Sequence, residues 1–347
     1  MSQNQITSTN EQRDVSIDLV RVVAAFLVIC IHCNFDYFHQ INENVYQAIW
    51  LFPSGVASFS RICVPLFFMI SGFLLIRPGV DAFVFYRKRI GRVLIPLLAW
   101  SVIYILVRVF MEGNQISFLS ACRIFYNNEV YYHLWFLYDI VAVYLFIPIL
   151  CLLPEKLMIF FTALTFILCS LIPFGDRLLT AVSGQPFHLG IPTGNVWIFT
   201  GYAALGALAR NWRASPAVIK ACAAALSLSF ILTLTLTVMT ARQSGQPSEK
   251  WFGYGESAVA IAACSSFVLL RSVKCPPRAA WSLRALGSLS FGIYLCHPLV
   301  IAVLRSLKWA PPEGVLLGLP TNIAVVSVLS AGLVATILRI PLVRQIV

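Results

Sequence analysis

Arg21 and His32 stand eleven residues apart inside an otherwise apolar stretch, SIDLVRVVAAFLVICIHC (16–33). In a helix, eleven residues at about 100° each complete three turns, so the two share a face, roughly 16 Å apart along the axis. Asp18, three residues before Arg21, falls on the same side and can pair with it. An imidazole titrates near neutrality, so it can take the proton of a poor nucleophile such as a hydroxyl. It can also carry an acyl group as a covalent relay. Two readings of this face compete: a polar path through a helix bundle, or an interfacial histidine and a snorkelling arginine with its counter-ion.

Further segments add chemistry. SRICVPLFFMISGFLL (60–75) opens with Arg61 and ends near the small pair Ser71–Gly72, which permits close helix packing. FYRKRIGRVLIP (85–96) places Arg87, Lys88, Arg89 and Arg92 within six residues. Topology anchoring accounts for charge there, but clustered guanidinium groups also suit a phosphorylated ligand, which arginine binds bidentately. YYHLWFLYDIVAVYLFIPIL (131–150) begins with His133 and Trp135 and then sets Asp139 in an apolar run. Aromatic residues there belong to an interface belt or to a sugar-binding mouth; the belt does not explain Asp139. His297, in YLCHPLV, is either a site residue or a packed polar contact. His39 and His188 read as bystanders in outer loops. No metal is expected: CIHC around His32 has no second Cys/His cluster, and a structural zinc needs four ligands. Most of the ten cysteines fall inside apolar stretches, where they act as small hydrophobes.

The elements that must position these residues are membrane helices. Of 347 residues 59% are hydrophobic and 11% charged, and the mean hydropathy is +0.83; soluble domains carry roughly 25% charged residues. Apolar stretches approaching the roughly 20 residues needed to span a bilayer recur near 16–34, 56–76, 90–110, 132–153, 157–173, 195–209, 216–240, 256–271, 285–304 and 321–340. They are continuous, without period-two alternation, which favours helices over a barrel. The expected fold is therefore all-α: a polytopic integral membrane protein with about ten transmembrane helices around a polar cavity. Residues 1–14 form a short cytoplasmic tail, 15–340 the transmembrane domain and 341–347 a cytoplasmic C-terminal tail. The net charge of +11 follows topology. With the N-terminus inside, the inner segments hold about 16 of the 25 basic residues, the positive-inside bias. No basic run with interleaved aromatics indicates nucleic acid.

In their order and spacing these segments resemble the integral-membrane acyltransferase-3 family, which O-acylates carbohydrates at the bacterial envelope. The resemblance covers about residues 14 to 340. It rests on Arg21 and His32, VPLFFMISGF, the Arg87–Arg89–Arg92 motif, HLWFL and LSFGIYLCHPLVI (289–301), and it is closest to the branch that O-acetylates enterobacterial common antigen. It implies a bacterial inner-membrane enzyme with both termini cytoplasmic and no tightly bound cofactor. Acetyl-CoA would be the co-substrate, held by Arg87, Arg89 and Arg92 at the inner mouth. His32 would be the catalytic residue, as general base or as relay, with Arg21 and Asp18 on the donor's route. The acceptor would be a hydroxyl of an envelope or exported polysaccharide, or of its lipid-linked precursor, with Arg61, Ser71, His133, Trp135, Asp139 and His297 as acceptor or cavity residues. The rival function is a polytopic transporter of a lipid-linked sugar or organic anion, against which no inverted repeat is visible.

Overall fold

A computed structural model describes residues 14–39, 45–190 and 194–347; most of the expected N-terminal tail, 1–13, lies outside the described residues. The described residues form an all-helical protein: α1 (Val15–His39), α2 (Leu51–Ser60), α3 (Cys63–Leu75), α4 (Ala82–Phe110), α5 (Phe118–Tyr126), α6 (Trp135–Leu150), α7 (Glu155–Phe166), α8 (Ile172–Ser183), α9 (Asn195–Leu208), α10 (Pro216–Ser244), α11 (Ser257–Ser272), α12 (Pro277–Ser306) and α13 (Val315–Ile337). The last residues do not trail away: Trp100 donates to the Ile346 carbonyl at 2.8 Å, and Val347 packs against Gly292.

Several boundaries differ from those expected. The second span begins at Ala48 and breaks between α2 and α3, because Pro65 offers no N–H to the Arg61 carbonyl one turn before it. The third helix starts at Ala82, where Asp81 caps it by accepting from the Val84 N–H at 2.7 Å. Arg87, Arg89 and Arg92 therefore lie on the helix rather than ahead of it. The fifth span runs to Thr180 through a π-helical turn at Ile167–Leu171.

Seven helical segments among the described residues are long and apolar enough to cross a bilayer, and α6, α9 and α11 are shorter apolar helices. Length alone thus gives fewer spans than the ten expected. Packing adds a constraint, because α1 and α12 run parallel: Asp18 lies against Gly287, His32 against His297, and Asp36 pairs with Arg305. Parallel helices need an odd number of crossings between them. Four long segments lie between α1 and α12, so one or all three of the shorter helices must cross as well.

The core is tightest where α3 meets α9. A Cβ added to Gly72 would overlap the Ala203 carbonyl, and one added to Gly206 would overlap that of Met69. These small residues let the two backbones touch, and Phe68 stacks on Phe199 at 4.2 Å beside them. Arg210 donates to the Phe73 carbonyl at the end of α3, and Arg271 to the Ala209 carbonyl at the end of α9. Cations there satisfy the carbonyls that a helix C-terminus leaves open.

Candidate functional site

His32, half-buried on α1, lines a cavity of about 460 Å³, within the range of roughly 300–1,000 Å³ that small-molecule sites occupy. The break between α2 and α3 brings Arg61 into its wall, and the turn before α6 supplies Tyr132 and His133, with Trp135 at the helix start. Tyr254 and Glu249 come from the segment between α10 and α11, and Tyr294 from α12. The charged groups of the wall neutralise one another. Arg61 pairs with Glu249 at 3.2 Å, His39 Nε2 lies 3.4 Å from the same carboxylate, and Arg305 pairs with Asp36 at 2.5 Å. Arg61 also covers the ring of Phe252 at 4.4 Å. Burial, then the neighbouring Cys63, pushes the Tyr254 phenol above its ordinary range, so it remains a hydrogen-bond donor.

Three imidazoles meet at the inner wall. The His32 and His297 rings stack with centroids 5.1 Å apart, and His133 stands edge-on to His297 at 5.5 Å. His133 is 2% exposed and His297 fully buried; His297 sits behind His32 instead of facing the cavity. Tyr294 donates its hydroxyl to the His133 carbonyl, tying α12 to the turn before α6.

Arg21 and Asp18 lie elsewhere. They form an ion pair at 3.0 Å, with Asp18 fully buried under Gly287, where a Cβ would come within 2.9 Å of the carboxylate. On α1 the cavity reaches only to Val28, seven residues, or about 10 Å, short of Arg21. The polar face of α1 therefore does not line one continuous cavity through the bundle. Buried Ala24, Ala25 and Val28 close the interval. Around Arg21 a second polar group assembles: Ser71 hydrogen-bonds with Tyr144, and Arg21 and Arg89 both act on that phenol. Of the three clustered arginines in the first half of α4, Arg89 alone is half-buried, whereas Arg87 and Arg92 are exposed.

The structure thus gathers Arg61, His133 and Trp135 around His32, with His297 behind it, and gathers Arg21, Asp18, Ser71 and Arg89 at the other end. Asp139 joins neither wall; it is half-buried on α6, in the field of Tyr294. His39 does not stand in a loop: α1 continues to it and brings its ring to Glu249. Glu249, Asp36 and Arg305 escaped sequence reasoning, since charge in a connecting segment is ordinarily a solvated surface. Tyr132 and Tyr254 escaped because aromatics near helix ends suit an interface belt equally well, and Tyr104 and Tyr294 because an aromatic inside an apolar run reads as core. Among the described residues no group of three or more His, Cys, Asp or Glu could hold a metal ion.

A family model described as an acyltransferase domain matches residues 14–340. The chain is also 24% identical to the serine/alanine racemase of Enterococcus gallinarum over 346 residues, covering 94% of this chain and 46% of that protein. It therefore spans about half the length of this curated relative. No solved structure matches it.

Proposed function

Since the chain belongs to this acyltransferase family, we propose that it moves a small acyl group, acetyl first among them, from cytoplasmic acyl-CoA to a carbohydrate hydroxyl on the other side of the membrane. The observation that carries this reading is His32 on the wall of an aromatic-lined cavity, on the same helix as Arg21, whose charge, with that of Arg89 on α4, acts on Tyr144 away from that cavity. Paired charges leave the cavity with little net charge to offer, which suits a neutral, hydroxyl-rich acceptor whose faces rest on Trp135, Tyr254 and Tyr132. At the other end Arg89, assisted by Arg87 and Arg92, would hold the donor's phosphates, and Asp18 keeps Arg21 oriented.

His32 acts as general base. The acceptor oxygen attacks the thioester carbon, its proton passes to His32, and the thiolate leaves, regaining a proton as the CoA thiol. This places one proton and one leaving group on atoms the cavity can serve, without a covalent acyl-histidine.

The test is purified protein in proteoliposomes made with a lipid-linked envelope-glycan extract as acceptor and supplied with radiolabelled acetyl-CoA. Wild type should release free CoA thiol. His32→Ala should abolish release while inserting normally, a loss on the order of 10²–10⁴-fold for general base catalysis. Near-wild-type turnover in a well-expressed His32→Ala protein removes His32 from the mechanism, and the absence of thioester cleavage in wild type returns the chain to the transporter reading.

A further inference from the structure

In a regular helix the Tyr294 carbonyl would accept from the N–H of residue 298, but Pro298 has none. His297 fills the vacancy: its Nδ1 lies 2.8 Å from the Tyr294 carbonyl and 3.1 Å from that of Ile293. Carbonyls only accept, so Nδ1 bears the ring hydrogen, and in the neutral ring Nε2 carries a lone pair. The next turn of α12 is held open as well. The Tyr104 hydroxyl from α4 donates to the Leu295 carbonyl at 2.6 Å and accepts the Leu299 N–H at 3.2 Å, standing where those two groups would have met. The two carbonyls that Nδ1 meets, one of them left open by Pro298, fix the tautomer of His297.

That tautomer points an acceptor at the site. His297 Nε2 is buried and has no hydrogen-bond partner among the described residues, and a buried acceptor left unmade is costly. The stacked neighbour is His32; His133 lies edge-on, and Tyr294 is tilted against the same ring.

We propose that His297 is the positioning residue of this site: its Nε2 accepts the N–H of His32 and so turns the lone pair of His32 toward the cavity. The inference rests on the assignment of His32 as base made above. It extends the logic in which a base is oriented by a third group, here a tautomer-locked imidazole in place of a carboxylate. Catalytic bonds are often poorly aligned before substrate binds; here the two rings stack with centroids 5.1 Å apart and the bond is not made, so the His32 ring must turn its N–H into line with His297 Nε2 in the reacting complex. During transfer the hydroxyl proton goes to the cavity-facing nitrogen of His32, His297 holds the other N–H, and His32 returns the proton to the departing thiolate. His297 neither gains nor loses a proton over the cycle.

The experiment uses the full chain in nanodiscs with ¹⁵N-labelled histidine, of which there are five, and assigns His297 by the signal lost in His297→Gln. The wild-type spectrum should show His297 protonated on Nδ1 and unprotonated on Nε2. Pro298→Ala, which restores an N–H for the Tyr294 carbonyl, should shift that signal toward a mixture of tautomers. Turnover is read, with a lipid-linked envelope-glycan extract added as acceptor, as free-thiol release from acetyl-CoA above the His32→Ala background. His297→Ala should lower kcat on the order of 10–100-fold, short of the full loss of a general base, with KM for acetyl-CoA unchanged. His297→Gln, whose amide oxygen keeps an acceptor near Nε2, should recover part of the lost rate. A wild-type His297 protonated on Nε2, a spectrum indifferent to Pro298→Ala, or equal losses in the Gln and Ala variants overturns the proposal. Any of these results with His32→Ala inactive leaves His32 as base intact, whereas an active His32→Ala fells the underlying assignment itself.

Discussion

Replacing Arg89 by alanine should raise the KM for acetyl-CoA far more than replacing Arg87 or Arg92. The three arginines look equivalent as a motif, but only Arg89 turns inward, half-buried beside the Tyr144–Ser71 pair and Arg21. A hydrogen bond to a charged group is worth about 1.5–3 kcal/mol, and each 1.4 kcal/mol is about tenfold in affinity. Losing one such contact at Arg89 should therefore raise KM roughly 10- to 100-fold. Exposed Arg87 and Arg92 act through water and salt, where charge pairs are weak. Their variants should shift KM by no more than about fivefold, the effect of about 1 kcal/mol. Phosphate contacts lie far from the reacting carbon and bind ground and transition states alike, so kcat should stay within about twofold in all three. Arg89→Lys, which keeps the charge but loses the planar fork, should fall between. The assay is thiol release from titrated acetyl-CoA in proteoliposomes, with insertion checked for each variant. Arg87→Ala weighing as much as Arg89→Ala would refute burial as the mark of the donor contact. Unchanged KM in all three would reduce the cluster to a topology anchor.

Two further outcomes follow from the same geometry. Tyr104→Phe removes the hydroxyl shared by Leu295 and Leu299, so it should cost about 1–3 kcal/mol, the penalty of an unsatisfied buried polar group, read as a lowered midpoint in detergent unfolding; an unchanged midpoint means that α12 closes on itself at no cost. In sealed right-side-out vesicles, enclosed acetyl-CoA should support thiol release and external acetyl-CoA should not, and equal release from both sides refutes a donor site on the inner face.

The helical class was legible because continuous apolar runs admit few other structures in lipid, and the shared face of Asp18, Arg21 and His32 followed from helical period alone. What periodicity could not supply was depth. It placed Arg21 and His32 on one face but could not show that Ala24, Ala25 and Val28 pack shut between them. Nor could it separate Arg89 from Arg87, since which side of α4 turns inward depends on its packing against α6, where Phe85 meets Tyr144 and Tyr86 donates to the Leu145 carbonyl. His297 was visible with two readings open; what it lacked was the four-residue arithmetic that links Pro298 to the Tyr294 carbonyl, a signal present in YLCHPLV. Glu249 had no local signal at all. Its pairing with Arg61, 188 positions earlier in the chain, exists only once α10 and α11 return the intervening segment to the cavity mouth.

The two polar groups are mechanically joined even though no open cavity connects them. α12 lies parallel to α1 and touches both: Gly287 presses on Asp18 at one end, and His297 stacks on His32 at the other. Gly287 has no side chain to spare, so α12 cannot tilt toward α1 there without displacing the Asp18–Arg21 pair. Eleven residues later the same helix is opened by Pro298 and held by Tyr104, a point at which a helix can flex without losing backbone hydrogen bonds. On the function proposed above, an elongated donor reaching from Arg89 toward His32 would have to part the Ala25–Val28 wall of α1, and α12 lies alongside α1 over this length. Motion of α12 about its proline would then move the wall and the histidine that orients His32 in the same step, so opening the route and arming the base become one event rather than two.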